Sequence, residues 1–184
     1  RLWKRKRSAV RLFELSLSDV GALTYHKQTL LLSPLLSTCI EHFQVKAQAA
    51  GLTLKNKIDI GQDYAISADS KRLQQLFSNL LENSIRYTDA GGSIEIAITA
   101  DNSQLVFTLD DSPPGVTPEQ HQRIFERLYR VESSRSRKTG GAGLGLAICK
   151  NIVEAHQGSI ISGNSTLGGL QIRITFPRAL MNNP

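Results

Sequence analysis

Four glycines, Gly140, Gly141, Gly143 and Gly145, crowd the stretch from Thr139 to Gln157, and an apolar helical pattern (Leu144, Ala147, Ile148, Ile152, Val153) begins among them. A helix that starts in such a loop presents unpaired backbone N–H groups, with the positive end of the helix dipole behind them. Glycine lets an anion approach that backbone closely. Phosphate binding is the chemistry that suits this junction. A surface loop that only caps a helix uses the same residues, so the glycines alone leave both readings open. Their spacing matches neither the dinucleotide nor the P-loop pattern, because no strand directly precedes them and no Gly-Lys-Ser/Thr follows. A second group lies on a strongly helical run. At about 100° per residue, Asn79, Asn83 and Arg86 share a strip roughly 60° wide, with Tyr87 at its border. Mid-helix asparagines cost propensity, so they are either harmless on the surface or present their amides to a ligand. A third group is Asp110-Asp111, an acidic strand end followed by the rigid turn Ser112-Pro113-Pro114-Gly115. Finally, Arg123, Arg127, Arg130, Arg135, Arg137 and Lys138 lead into the glycine loop, and the polar stretch from Arg130 to Gly143 reads as a lid over a ligand.

These groups need a scaffold, and the periodicities supply one. Ser33-Pro34 reads as the cap and first turn of a helix that carries Leu35, Leu36, Cys39, Ile40 and Phe43 and closes at Gly51. Leu30 to Leu32 is a short extended piece before it, and Leu52–Ile58 and Tyr64–Ser67 read as strands after it. Asp69 caps the helix whose apolar stripe is Leu73, Leu76, Phe77, Leu80, Leu81 and Ile85. Ser93–Thr99 and Leu105–Leu109 alternate as a hairpin about Asp101-Asn102-Ser103. Thr117-Pro118-Glu119-Gln120 has the form of a capping box that opens another helix. Gly158 ends the helix after the glycine loop, with His156 expected at its partly exposed surface. Ser159–Ser162 and Leu170–Phe176 complete the strands, around a turn at Leu167-Gly168-Gly169. The sum is an α+β fold, a two-layer α/β sandwich with a mixed sheet of about five strands and three helices on one face.

The chain has 184 residues, enough for one ordinary domain with a short appendage, and 40% hydrophobic and 21% charged residues are ordinary for a soluble globular protein. No apolar run approaches membrane-spanning length, and nothing at the start reads as a signal peptide. Cys39 and Cys149 cannot build a disulfide framework; both fall at apolar helical positions, as buried hydrophobes in a reducing compartment would. The net charge of +6 is compatible with nucleic acid, an anionic membrane or an anionic small ligand. One basic cluster (Arg1, Lys4, Arg5, Lys6, Arg7, Arg11) reads as the solvated face of a helix over residues 1–18, whose apolar side must pair with something outside the main core. Interleaved aromatics beyond Trp3 are missing there, which argues against nucleic acid.

Taken together and in this order, the groups resemble the ATP-binding domain of sensor histidine kinases, a superfamily shared with gyrase, Hsp90 and MutL. Asn79-Leu80-Leu81-Glu82-Asn83-Ser84-Ile85-Arg86-Tyr87-Thr88 is similar to the family's N box. Asp111-Ser112-Pro113-Pro114-Gly115-Val116 is similar to the G1 box, Ile124 to Arg130 to the F box, and Gly141-Ala142-Gly143-Leu144-Gly145-Leu146 to the G2 box. The resemblance implies a Bergerat-type fold over residues 28–178, with residues 1–18 as the remnant of a second dimerisation helix, 19–27 a linker and 179–184 a tail. It implies ATP and Mg²⁺ as cofactors, with Asn83 ligating the metal through its amide oxygen. Asn79 and Arg86 would then contact phosphates, and Tyr87 would pack on the base or ribose. Asp111 would accept the adenine amino hydrogens, which selects ATP over GTP, and Gly115 would let the backbone pass the base. Gly141, Gly143, Leu144, Gly145 and Leu146 would wrap the phosphates, with Arg137, Lys138 and Arg130 supplying charge and Arg130 the candidate for a catalytic part. Two positions depart from the pattern: Pro113 stands at the first glycine of the G1 box, stiffening the turn, and Leu128 replaces the second phenylalanine of the F box, loosening the lid's anchorage.

The resemblance also implies partners. These are the dimerisation and phosphoacceptor domain of the same kinase, in a full-length homodimer, and the receiver domain of a response regulator. Nucleic acid is not among them. The setting implied is the cytoplasmic side of a bacterial inner-membrane protein, reached through upstream segments. None of His26, His42, His121 and His156 has the acceptor's sequence context, so the domain is expected to bind Mg-ATP and donate its γ-phosphate to a histidine elsewhere, without autophosphorylating alone. Gyrase-like members carry a water-activating glutamate one turn before the metal-binding asparagine; Asn79 stands there, so hydrolysis is expected to be slow. An ATPase of the same superfamily and a protein-interaction module with a degenerate nucleotide site are the rival readings.

Overall fold

The computed structural model describes residues 23–59, 61–62, 64–131 and 142–179. The first strand, β1 (Gln28–Leu31), runs directly into helix α1 (Leu32–Ala49). That helix starts one residue before the predicted Ser33 cap. The Leu32 N–H is satisfied at 3.0 Å by the Tyr64 carbonyl instead of by a side chain, and Pro34 sits in the first turn, where its missing N–H costs nothing. Strand β2 (Thr53–Asn56) and strand β3 (Ala65–Ala68) follow, but they join different sheets. β3 pairs antiparallel with β1, while β2 pairs parallel with β4 (Ser93–Ala100). Helix α2 (Ser70–Tyr87) lies between β3 and β4, capped as predicted by the Asp69 carboxylate, which accepts from the Lys71 and Arg72 amides.

β4 and β5 (Gln104–Asp111) form the predicted hairpin, closed by the Asp101 carboxylate accepting the Ser103 and Gln104 amides at 2.7 Å. Of the capping box predicted at Thr117 one half forms, with the Thr117 N–H donating to Gln120 Oε1 at 2.9 Å, but the helix cap is Glu119, without a side-chain capping bond, and α3 (Gln120–Arg123) is a single turn. Helix α4 (Gly145–Ala155), strand β6 (Ser159–Asn164) and strand β7 (Leu170–Pro177) complete the fold. The main sheet has the order β2-β4-β5-β7-β6, with one parallel and three antiparallel pairings. One core joins Ile94, Ile96, Leu105, Phe107, Ile172 and Ile174 of the sheet to Leu36 and Phe43 of α1, Leu73, Phe77 and Leu80 of α2 and Ile148 and Ile152 of α4. This is the predicted two-layer α+β sandwich with a mixed five-stranded sheet; the β1-β3 ribbon is the addition. No helix among the described residues is long and apolar enough to cross a membrane. Cys39 and Cys149 are free and buried.

One expectation at the end of α4 is corrected and one is refined. The helix stops at Ala155, and Gln157, just before Gly158, takes the left-handed conformation, at φ 58°. Gly158 is required by packing, since a Cβ there would lie 2.6 Å from the Thr175 carbonyl oxygen. His156 is 3% exposed, not a surface residue. Its Nε2 accepts from the Asp69 N–H at 3.0 Å, and its Nδ1–H donates to the Ile152 carbonyl at 2.6 Å, an arrangement that needs the neutral ring. Burial holds its pKa below the ordinary histidine value. The Tyr25 ring packs edge-on against it at 5.5 Å. The predicted helix over residues 1–18 and the basic cluster within it lie outside the described residues.

Candidate functional site

Period two along β5 places Leu105, Phe107, Leu109 and Asp111 on the helix-facing side, so the strand's apolar face ends in a carboxylate. Asp111 is 5% exposed, and β4 places Ile94 directly opposite it. Two groups hold it. The Leu170 N–H donates to Oδ1 at 2.7 Å, and the Gly169 N–H donates to the Asp111 carbonyl at 3.1 Å. Burial nevertheless raises its pKa to about 6; the Leu170 amide and the Ser84 hydroxyl pull the other way, and the neighbouring Asp110 charge adds to the rise. Asp110 itself points to the opposite face and accepts from Gln171 Nε2 at 3.0 Å. Gly169 permits this junction: a Cβ there would stand 2.6 Å from Asp111 Oδ1 and 2.5 Å from its carbonyl oxygen. Gly115, at φ 67°, approaches the same place, its hypothetical Cβ 3.0 Å from the Gly169 backbone.

Asp111 forms part of the wall of a cavity of about 260 Å³. The strip predicted on α2 lines one side with Asn79, Asn83, Arg86 and Tyr87, and Glu82 joins them. Asn79 is buried, which removes the reading of it as a harmless surface asparagine. Gly115 with Pro114 and Val116 lines the side of the Pro-Pro-Gly turn, whose Pro113–Pro114 peptide is cis. Ile124, Tyr129 to Val131, Ala142 to Leu146 and Leu170 line the rest.

The start of α4 is open towards this space. Leu144 is its N-cap and offers no side-chain hydrogen bond, and the helix closes first from the Ile148 N–H to the Leu144 carbonyl at 3.0 Å. The amides of Gly145, Leu146 and Ala147 therefore precede the ladder. A Cβ on Gly145 would meet nothing within 4 Å, so the helix start has room for a bulky anion. Gly143, at φ 67°, is pinned to the end of the F-box segment. The Leu128 N–H donates to its carbonyl at 2.9 Å, and a Cβ on it would come within 2.8 Å of Leu128 C and the Tyr129 carbonyl oxygen. The expected loosening at Leu128 is thus offset by a backbone anchor. The leucine side chain takes no part in it, being 64% exposed on a residue at φ 61°.

Eleven predicted site residues therefore meet in one cavity: Asn79, Asn83, Arg86, Tyr87, Asp111, Gly115, Arg130, Gly143, Leu144, Gly145 and Leu146. Arg137, Lys138 and Gly141 lie outside the described residues. Glu82, Tyr129 and Leu170 line the cavity too and were not predicted. The helical count places Glu82 about 60° from Asn79 and could have found it, whereas Leu170, 59 residues from Asp111 in sequence, gives no local signal. Among the described residues no group of three or more His, Cys, Asp or Glu could hold a metal ion. A hard cation here would fit only as a shared ligand of the Asn83 amide oxygen and of oxygens brought by an anion, and the open start of α4 in the same cavity suits that donor set.

Residues 68–180 match the model of the histidine kinase-, DNA gyrase B- and HSP90-like ATPases. The chain belongs to this family. Among curated members of this ATPase family, the signal transduction histidine-protein kinase BaeS of Escherichia coli (strain K12) is 47% identical over 166 residues, which is 90% of this chain and 35% of BaeS. The chain spans about a third of the length of the curated relatives it matches. Solved structures agree. The catalytic domain of the histidine kinase ThkA superposes with a TM-score of 0.73 at 25% identity, over 83% of this chain and 96% of that one. Full-length ShkA, in complex with AMPPNP, superposes with a TM-score of 0.72 at 26% identity, over 94% of this chain and 37% of that one.

Proposed function

We propose that this domain binds Mg-ATP in the cavity and presents its γ-phosphoryl group to a histidine on the dimerisation domain of the same kinase, for relay to a response-regulator receiver domain. One observation carries this reading: a buried carboxylate and an uncapped helix start face one cavity, which Asn79, Asn83 and Arg86 also line. Asp111 suits the adenine amino group, because it is ionised above about pH 6 and already oriented by the Leu170 amide. Gly145 and the amides that follow it suit the phosphates, and Arg86 and Arg130 add positive charge. Asn83 would hold Mg²⁺, which neutralises phosphate charge when bound. The rest of the catalysis is positioning, as in phosphoryl transfer generally. Two histidines of this chain are unsuited to accept the phosphoryl group: both ring nitrogens of His156 are engaged in the core, and those of His121 meet Ser162 Oγ and Asn164 Oδ1 at 3.0 and 3.1 Å. We further propose a cytoplasmic setting in a membrane-bound homodimeric sensor; the relatives, named as sensor kinases, support the sensor part of that reading.

Calorimetric titration with ATP and GTP, with and without Mg²⁺, tests the proposal. Magnesium-dependent ATP binding, much weaker GTP binding and loss of both in Asn83→Ala and Asp111→Ala are expected; absence of binding by either nucleotide would overturn it. A second reading, hydrolysis, is favoured by one observation: Glu82 puts a carboxylate in the cavity one residue before Asn83. Phosphate release that disappears in Glu82→Gln would establish it.

A further inference from the structure

Residues 23–27 lead into β1, and Thr24, His26 and Lys27 among them are exposed, so burial does little to fix this stretch. Specific contacts hold it instead. The His26 N–H donates to Asp69 Oδ2 at 2.9 Å, and the Tyr25 ring stands edge-on to His156 at 5.5 Å, with the Arg72 guanidinium 6.0 Å from the tyrosine centroid. Both anchors belong to one joint. Asp69 Oδ1 caps α2 through the Lys71 and Arg72 amides, and the Asp69 N–H donates at 3.0 Å to Nε2 of His156 at the end of α4. The entering chain, the start of α2 and the end of α4 thus meet at two buried side chains, Asp69 and His156.

The joint depends on one lone pair. Nδ1–H of His156 is committed to the Ile152 carbonyl at 2.6 Å, so Nε2 of the neutral ring is the acceptor that receives the Asp69 amide. A proton on Nε2 sets donor against donor and strips the Asp69 N–H of its partner in the interior. The charged and titratable groups that face the ring are Tyr25 and Lys27 of the entering chain and Asp69 at the start of α2, while β7 brings Phe176, its ring 6.5 Å away. Burial opposes protonation most and the Lys27 charge adds to it, against the Ile152 carbonyl and the Asp69 carboxylate, so the ring charges at a pH below the ordinary histidine value. Asp69 stays ionised through that range: burial works to raise its carboxyl, but the His26, Arg72 and Lys71 amides and the Arg72 charge outweigh it. We infer that the joint is a proton-operated clasp on the chain that enters the domain: the neutral His156 ring holds Tyr25 and His26 against the ends of α2 and α4, and protonation releases them. Release alters the tether and leaves the cavity in place, since Asn83 lies about 20 Å along α2 from Ser70. The clasp does not depend on what fills the cavity. Under the proposed function, it makes the reach of this domain towards a histidine elsewhere responsive to pH.

Nuclear magnetic resonance of the full chain between pH 7.5 and pH 5 tests this. At pH 7.5 the His156 ring should be the Nδ1–H tautomer. As the ring titrates, the His26 and Asp69 amides should lose about tenfold in hydrogen-exchange protection, while the amides of β4 and β5 keep theirs. His156→Gln, whose amide oxygen accepts from Asp69 without titrating, should keep both amides protected at pH 5. An Nε2–H tautomer at pH 7.5 would overturn the inference, as would a ring that titrates with the His26 amide unchanged. Equal loss of protection in β4 and β5 would show general acid unfolding in place of a clasp, and release in His156→Gln at pH 5 would assign the effect to another group. The ring and amide signals are read on the parent chain, so they decide the matter even where His156→Gln fails to fold.

Discussion

Replacing Asp111 by asparagine should make the domain more stable while removing its nucleotide affinity. The carboxyl group, whose ordinary value is 3.8, is pushed up to about 6 by burial, so ionising it in the fold costs about 3 kcal/mol more than in the unfolded chain, at about 1.4 kcal/mol for each tenfold change in proton affinity. Because the folded value lies above the unfolded one, the neutral form favours folding. That contribution is fully present below about pH 4 and is lost as the pH rises through about 6. Asparagine keeps an oxygen for the Leu170 amide and carries no charge to desolvate. The variant should therefore match the parent near pH 4 and exceed it by up to about 3 kcal/mol at pH 8. Urea unfolding of both proteins at pH 4, 5, 6, 7 and 8 measures the difference directly. Comparing the two at each pH matters because His156 acts in the opposite direction: its lowered pKa makes protonation unfavourable in the fold, so it costs stability as the pH falls, equally in both proteins. A variant less stable than the parent at pH 8, or a difference independent of pH, would refute the reasoning. A stability gain coupled to lost binding is the pattern expected where a desolvated charge is kept for its ligand.

Gly143→Ala combines a left-handed backbone with a Cβ 2.8 Å from two backbone atoms at Leu128 and Tyr129, so it should destabilise the domain by about 2 kcal/mol and weaken ATP binding. Thermal unfolding and calorimetry would show both, and a neutral variant would mean that the pinch between the two segments is not required. Leu128→Asn should do the reverse for stability, raising it by about 1 kcal/mol, because the exposed leucine at φ 61° gains little from burial and asparagine tolerates that conformation better. Unfolding in urea measures this change, and a loss of stability would show that the leucine side chain has a packing partner in the folded chain.

The elements that were legible in the sequence are those whose burial is periodic. The stripe of α2, the alternation of β4 and β5 and the Asp69 cap each follow from nearest-neighbour geometry, and Asn79, Asn83, Arg86 and Tyr87 could be placed together because a helix makes residues three and four apart neighbours. Legibility fails where a residue's role depends on a distant strand. Nothing near Leu170 or Gly169 announces that β7 begins against the Asp111 carboxylate. His156 misled for the same reason, since its ring is satisfied in the interior by the Asp69 amide, 87 residues away, as well as by the local Ile152 carbonyl. The separation of β3 from the main sheet belongs here too: its alternation fits any sheet, and only pairing with β1 decides which.

These long-range bonds also explain how loosely connected motifs can hold one geometry. The two helices that build the cavity are joined at their far ends, where the residue that caps α2, Asp69, gives its own N–H to His156 at the end of α4. They are joined again midway, where Cys149 Sγ lies 3.7 Å from the Leu76 carbonyl oxygen. The Asp69 carboxylate then accepts the His26 N–H at 2.9 Å, so the chain that enters β1 is fastened to the same joint. Across the cavity, the turn after β5 and the start of β7 are locked by the Gly169 and Leu170 amides on Asp111. The asparagines and arginine of α2 and the helix start of α4 are thus set by contacts outside the cavity, and the carboxylate of β5 by the Leu170 amide in its wall. A site assembled in this way keeps the spacing of its two helices through contacts that lie away from the cavity, as a site that must present groups to a ligand requires.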